Sequence, residues 1–151
     1  MGKYRTNLPQ LNDALFLTDS GMETFLVFQQ GIDLPEFASF PLLETAEGRL
    51  ELTPYMERHI RIALDNQLGF VLETPTWRAN PDWGAKLGYD LDGLAQINRH
   101  AVHFMAALRD THETPESKMV LSGNIGPRGD GYSPEETMEP EEAATYHRHQ
   151  I

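Results

Sequence analysis

Three polar side chains stand just behind three short apolar runs. Asp19 follows Leu15-Phe16-Leu17 in "LTDSGMET". Glu73 follows Phe70-Val71-Leu72 in "LETPTWRANPDWGAKLG". Asn124 follows Met119-Val120-Leu121 in "LSGNIGPRGDGY". Two carboxylates and a carboxamide, with the amides of Ser20-Gly21-Met22 and of Gly123 to Gly126 nearby, have the chemistry to hold a free amino acid. Carboxylates take an ammonium group, and amides take a carboxylate. The plainer alternative is that Asp19 and Glu73 only cap neighbouring loops. The residue types alone leave both readings open.

Other chemistry-bearing residues make weaker cases. "GNIGPRGDG" is glycine-rich but lacks the Lys-Ser/Thr of a phosphate loop. "RGD" at 128–130 reads as a turn. His100 and His103, and His147 and His149, are spaced like metal pairs but show no third ligand, so solvated surface is the better expectation. Trp77 and Trp83 suit stacking on a ligand or packing over the mouth of a site. The glutamates between Glu135 and Glu142 read as a solvated helix start, favourable to the helix dipole. There is no cysteine, so the chain offers no thiolate nucleophile and no thiolate metal ligand; no metal-binding residue is assigned, and the catalytic residues are left open.

Positioning the three loops requires parallel strands. The apolar runs are continuous rather than alternating, as expected where a strand is buried on both faces of a parallel sheet. Helical patterns separate them. Thr53-Pro54 reads as a helix start, with Met56, Ile60, Ala63, Leu64 and Leu68 behind it and Gly69 to close it. A second helix is expected from about Asp90, with Leu94, Ile97, Ala101, Phe104, Met105 and Leu108 as its stripe. Ser133-Pro134-Glu135-Glu136 has capping-box form, but Pro140 favours a helix that begins there and runs to the end of the chain. The apolar segment from Met22 to Leu52 reads as an ordered excursion covering one end of the sheet. The order β-α-β-α-β-α predicts right-handed crossovers. The sheet edges are expected to be open to self-association.

The chain has 151 residues, 40% hydrophobic and 23% charged, as expected of one globular domain. A net charge of −11 argues against nucleic acid and against anionic membrane as partners. No apolar run approaches the ~20 residues of a spanning helix, so a cytoplasmic location is expected. A complete eight-fold barrel takes about 250 residues, so three βα units make either a small three-stranded sheet or the opening portion of a barrel; an end inside a helix without a cap favours the second as the expectation.

"LTDSGMETFL", "FVLETPTWRANPDWGAKLGY" and "SGNIGPRGDGY", in this order, resemble the N-terminal half of the homocysteine S-methyltransferase family. The resemblance covers essentially the whole chain. It implies the N-terminal portion of a (β/α)8 TIM barrel over residues 1–151. The implied activity is methyl transfer to the homocysteine thiolate, giving methionine, from a donor such as S-methylmethionine, betaine or a methylated cofactor. Homocysteine and that donor would be the small-molecule partners. The family's cofactor is zinc, held by three cysteines that deprotonate the substrate thiol; those ligands belong to the barrel's second half and have no match here. By the same resemblance Asp19, Gly21 and Met22 match the Asp-Gly-Gly substrate loop, with Ser20 in place of its first glycine. Glu73, Thr74 and Thr76 match the second-strand motif, and Asn124 to Gly126 the third. On this reading the chain supplies part of the substrate pocket and is inactive alone. Two rivals stay open: an amino-acid-binding half-barrel without catalysis, and a different barrel enzyme with Asp19 and Glu73 as an acid/base pair.

Overall fold

The computed structural model describes residues 2–132 and 137–151; the capping-box expectation at 133–136 falls outside them. Three parallel strands form one sheet in sequential order: β1 (Phe16–Thr18), β2 (Gly69–Glu73) and β3 (Met119–Ser122). Leu17 lies opposite Phe70, and Phe70 opposite Met119. Between the strands run α1 (Met22–Phe28), α2 (Ala46–Asp65), α3 (Pro81–Lys86) and α4 (Leu91–His112), with α5 (Pro140–His147) after β3. The architecture is therefore α/β, with a parallel sheet alternating with helices.

Strand alternation explains the core. Phe70, Leu72 and Met119 point to one face and are fully buried with Met56, Ile60 and Ala63 of α2 and Ile97, Ala101 and Met105 of α4. The opposite face is more open: Gly69 and Val120 are buried, but Thr18 is exposed and Phe16, Val71 and Glu73 are half-buried. That corrects the expectation of burial on both faces. Gly69 sits under the Phe16 ring, where a Cβ would come within 2.4 Å of ring carbon.

The start of α2 is a second correction. It begins at Ala46, not behind Thr53, and runs 20 residues straight through Pro54. Thr45 is the true cap, its hydroxyl accepting from the Gly48 N–H at 2.9 Å. Pro54 removes one backbone bond, but buried Gly48 and Leu52 extend the apolar stripe upstream of it. Asp90 caps α4 as expected, through the Gly93 N–H at 2.8 Å. α5 starts at Pro140 as expected but ends at His147, in turns.

The excursion after β1 is ordered. Its turns at Pro35–Phe37 and Phe40–Glu44 bury Leu34, Ala38, Phe40 and Leu43, while Phe28 is largely exposed. No helix among the described residues is long and apolar enough to cross a membrane.

Candidate functional site

A cavity of about 360 Å³ opens at the carboxyl ends of the three strands. Asp19, Ser20, Gly21 and Met22 enter it from the loop after β1. Glu73, Thr74 and Trp77 come from the loop after β2, and Asn124 and Tyr132 from the loop after β3. Seven of the nine residues singled out from the sequence thus share one wall. Thr76 and Gly126 do not line the cavity.

Their surroundings show what those two do instead. Thr76 is buried, and its hydroxyl donates to the Asn124 carbonyl at 2.9 Å. Thr74 accepts from the Asn124 N–H at 3.0 Å, and the two threonine hydroxyls pair at 2.7 Å. The Gly126 N–H donates to the Trp77 carbonyl at 3.0 Å, and a Cβ on Gly126 would lie 2.2 Å from that same oxygen. Buried Asn80 donates to the Pro127 carbonyl at 3.1 Å; its Oδ1 accepts from the Trp83 N–H and, at 2.9 Å, from the Tyr146 hydroxyl. The polar residues of "ETPTWRAN" therefore mostly bind the β2 loop to the β3 loop.

Glu73 is the exception. Its carboxylate faces the cavity and forms no ion pair among the described residues. Asn124 has both backbone groups engaged, which leaves its side-chain amide for the cavity. Burial pushes the Asp19 carboxyl up to about 6. A hydrogen bond from Tyr55 opposes that rise, the negative charge of Glu73 adds to it and His59 again opposes it. Asp19 thus carries a desolvated carboxyl facing a second carboxylate.

One wall of the cavity was not legible beforehand. Phe37 lines it from a turn in which Glu36 and Phe37 both hold φ of 54°, the left-handed region that a bulky residue rarely adopts. The Phe37 N–H donates to the Leu34 carbonyl at 2.8 Å, and the Arg78 guanidinium donates to the Glu36 carbonyl. Strain of this kind persists only where the surroundings enforce it. Trp77 and Tyr132 meet edge to face, 6.2 Å between centroids, and form an aromatic rim. Trp83 is turned away; Arg78 and Lys86 stack on its ring at 3.8 and 3.9 Å. Arg128 of the "RGD" turn pairs with Asp82 at 2.8 Å and Glu142 at 3.0 Å.

A family model described as Homocysteine S-methyltransferase matches residues 17–151. The chain belongs to the homocysteine S-methyltransferase family. No curated protein and no solved structure matches it. The family places the chain in the class of methyl transfer and implies small-molecule substrates. The zinc implied by the resemblance does not fit the residues present. The chain has no cysteine, and no group of three or more His, Cys, Asp or Glu among the described residues is placed to hold a metal ion. Of the four histidines expected on solvated surface, His100, His103 and His149 are exposed, whereas His147 is half-buried against Tyr146, 4.9 Å between ring centroids.

Proposed function

We propose that this end of the sheet binds the amino-acid portion of homocysteine for methylation of its sulfur, within a (β/α)8 barrel of which these strands are the first three. The supporting observation is the pair of carboxylates on one small cavity. Asp19 and Glu73 repel each other until a cation lies between them, and an α-ammonium group supplies it. On this reading the Asn124 amide donates to the substrate carboxylate, with the Ser20-Gly21 backbone lining the same cavity. In the reaction the homocysteine sulfur forms a bond to the donor's methyl carbon. The bond from that carbon to its old atom breaks with its electron pair left on the donor, and the thiol proton passes to solvent. These residues bind and orient; no step is assigned to zinc. A donor carrying its methyl on cationic sulfur or nitrogen suits the aromatic rim of Trp77, Tyr132 and Phe37.

The test is calorimetric titration of the full chain with L-homocysteine beside 4-mercaptobutanoic acid, which lacks the amino group. Binding of the first, lost in Glu73→Gln, together with no binding of the second, is the expected result. Equal binding of both sinks the ammonium role. A second reading has one observation in its favour: a carboxyl near 6 also suits acid/base catalysis in a different barrel enzyme. Homocysteine binding decides against it.

A further inference from the structure

We infer that Tyr55, a buried residue of α2 that lies outside all three loop motifs, is the positioning residue of the Asp19 loop: its hydroxyl keeps Asp19 ionised and aimed into the cavity. The inference deepens the homocysteine reading and rests on it for the identity of the ligand only.

The geometry is specific. Tyr55 is 1% exposed, and its ring is held between Phe25 at 5.3 Å and His59 at 4.6 Å. From there the hydroxyl reaches two consecutive residues of the loop after β1. It lies 2.5 Å from the Ser20 carbonyl and 3.0 Å from Asp19 Oδ2. A phenol has one proton for these two acceptors. When Asp19 is charged it is the stronger acceptor, because hydrogen bonds to an ionised group are stronger. When Asp19 is protonated, its own O–H donates to the phenol oxygen and frees the phenol proton for Ser20. The charge of Asp19 and the anchoring of the Ser20 carbonyl are thereby coupled through one oxygen.

The groups facing Asp19 come from several elements: Glu73 of β2, Tyr55 and His59 of α2, with Glu23 of α1 on the same cavity. His59 is itself tethered, its Nδ1 2.9 Å from the Tyr55 carbonyl and its Nε2 3.4 Å from Ser20 Oγ. Burial and Glu73 push Asp19 towards the neutral form, which cannot hold an ammonium ion. Among the influences that oppose this, the Tyr55 hydrogen bond is the largest. Burial also raises the phenol's own pKa, so it remains a donor throughout the working range.

The experiment follows the Asp19 carboxyl carbon by NMR through a pH titration of the full chain, in the wild type, in Tyr55→Phe and in Phe25→Leu. Tyr55→Phe keeps the ring and removes the donor; Phe25→Leu loosens the same packing and leaves the donor. The expected result is an Asp19 pKa raised by roughly one unit in Tyr55→Phe, the share of a single hydrogen bond to a carboxylate. In Phe25→Leu it stays at the wild-type value. Homocysteine affinity of Tyr55→Phe should fall several-fold at about pH 6.5 and recover towards wild type by about pH 8, once Asp19 has ionised. An unchanged Asp19 titration in a folded Tyr55→Phe overturns the proposal. If that variant does not fold, uniform 3-fluorotyrosine labelling of the wild type gives the converse reading. A more acidic phenol donates more strongly, so Asp19 must titrate lower, and an unmoved or higher value overturns the proposal. If Asp19 responds as stated but the wild type ignores homocysteine, the Tyr55 role stands and the homocysteine reading falls.

Discussion

The loop after β1 and the joined loops after β2 and β3 meet at one cavity but are built on opposite principles. Apart from Glu73 and the Asn124 side chain, which face the cavity, the β2–β3 seam is neutral, and its hydroxyls and the Asn80 amide are matched to partners: Thr74 to Thr76, Thr76 to Asn124, Asn80 to Pro127, Trp83 and Tyr146. The β1 side holds a half-buried carboxyl against a second carboxylate, with one phenol proton serving two acceptors. Satisfied buried polar groups stabilise a fold, whereas a desolvated like-charge pair opposes it. The contrast separates scaffold from binding surface within a single cavity wall.

The largest effect should therefore come from the neutral side. Asn80→Ala removes the cap of α3 and leaves the Pro127 carbonyl and the Tyr146 hydroxyl short of a partner. A loss of about 3 kcal/mol is expected, from one helix cap and unsatisfied buried groups together. A urea unfolding midpoint measures it. A loss under about 1 kcal/mol would mean that the β2–β3 seam is not the scaffold.

Gly126→Ala comes next. The new methyl would be 2.2 Å from the Trp77 carbonyl, and a backbone oxygen cannot move aside as a side chain can. About 2 kcal/mol of destabilisation follows from overpacking of this kind. A shift of Trp77 fluorescence towards the solvent-exposed range should accompany it, because the rim is displaced. Unchanged stability and emission would show that the two loops are not seated on each other.

How much of this was legible in the sequence follows from the range of the interactions involved. The three strands and their shared polar end were readable from Phe70-Val71-Leu72 running into Glu73, because an apolar run and the residue behind it are neighbours in the chain. The start of α2 was misread because Thr53-Pro54 is a strong local signal, whereas Gly48 is needed for a packing partner, Leu42, that only the fold brings close. Nothing next to Tyr55 in the chain marks its role; its partners Asp19 and Ser20 lie 36 and 35 residues away. The role of Thr76 depends on Asn124, 48 residues on. α3 had a readable cap in Asn80-Pro81 but is only six residues long, too short for periodicity to reveal. The left-handed Phe37 left no trace, since nothing in "LPEFASF" demands it.

Asp19→Asn tests the other half of the contrast, with the opposite sign. The folded carboxyl titrates at about 6 and the unfolded one at 3.8, so between these values the folded state holds more protons. Stability that a raised carboxyl contributes is present at low pH and is lost as pH rises through that window. The wild type should lose about 2 kcal/mol between pH 4 and pH 7 that Asp19→Asn does not lose, somewhat less than a full shift of that size implies because the group is half-exposed. Thermal unfolding at both pH values measures it. Parallel pH profiles would show that Asp19 carries no such burden, and the two loops would no longer differ in kind.

Glu73→Gln should move stability least, and for that reason it sharpens the contrast most. The side chain is half-buried and makes no ion pair among the described residues, so its replacement by an isosteric amide strands no partner. With no partner stranded, the change in stability is small, about 0.5 kcal/mol, and at neutral pH it is stabilising, because one member of a like-charge pair is neutralised. The negative charge that raises Asp19 disappears with it, so Asp19 must titrate below its wild-type value of about 6. The relaxed Asp19 is ionised more fully at neutral pH, and if charge on Asp19 alone held the ammonium, homocysteine would bind better. The two-carboxylate reading requires the reverse: a lower Asp19 pKa together with weaker homocysteine binding, because the second acceptor for the ammonium is gone. Carbon NMR of Asp19 and calorimetry on the same sample therefore have to move in opposite senses. Tighter binding in Glu73→Gln would leave Asp19 as the sole anchor and make Glu73 a residue that only tunes it.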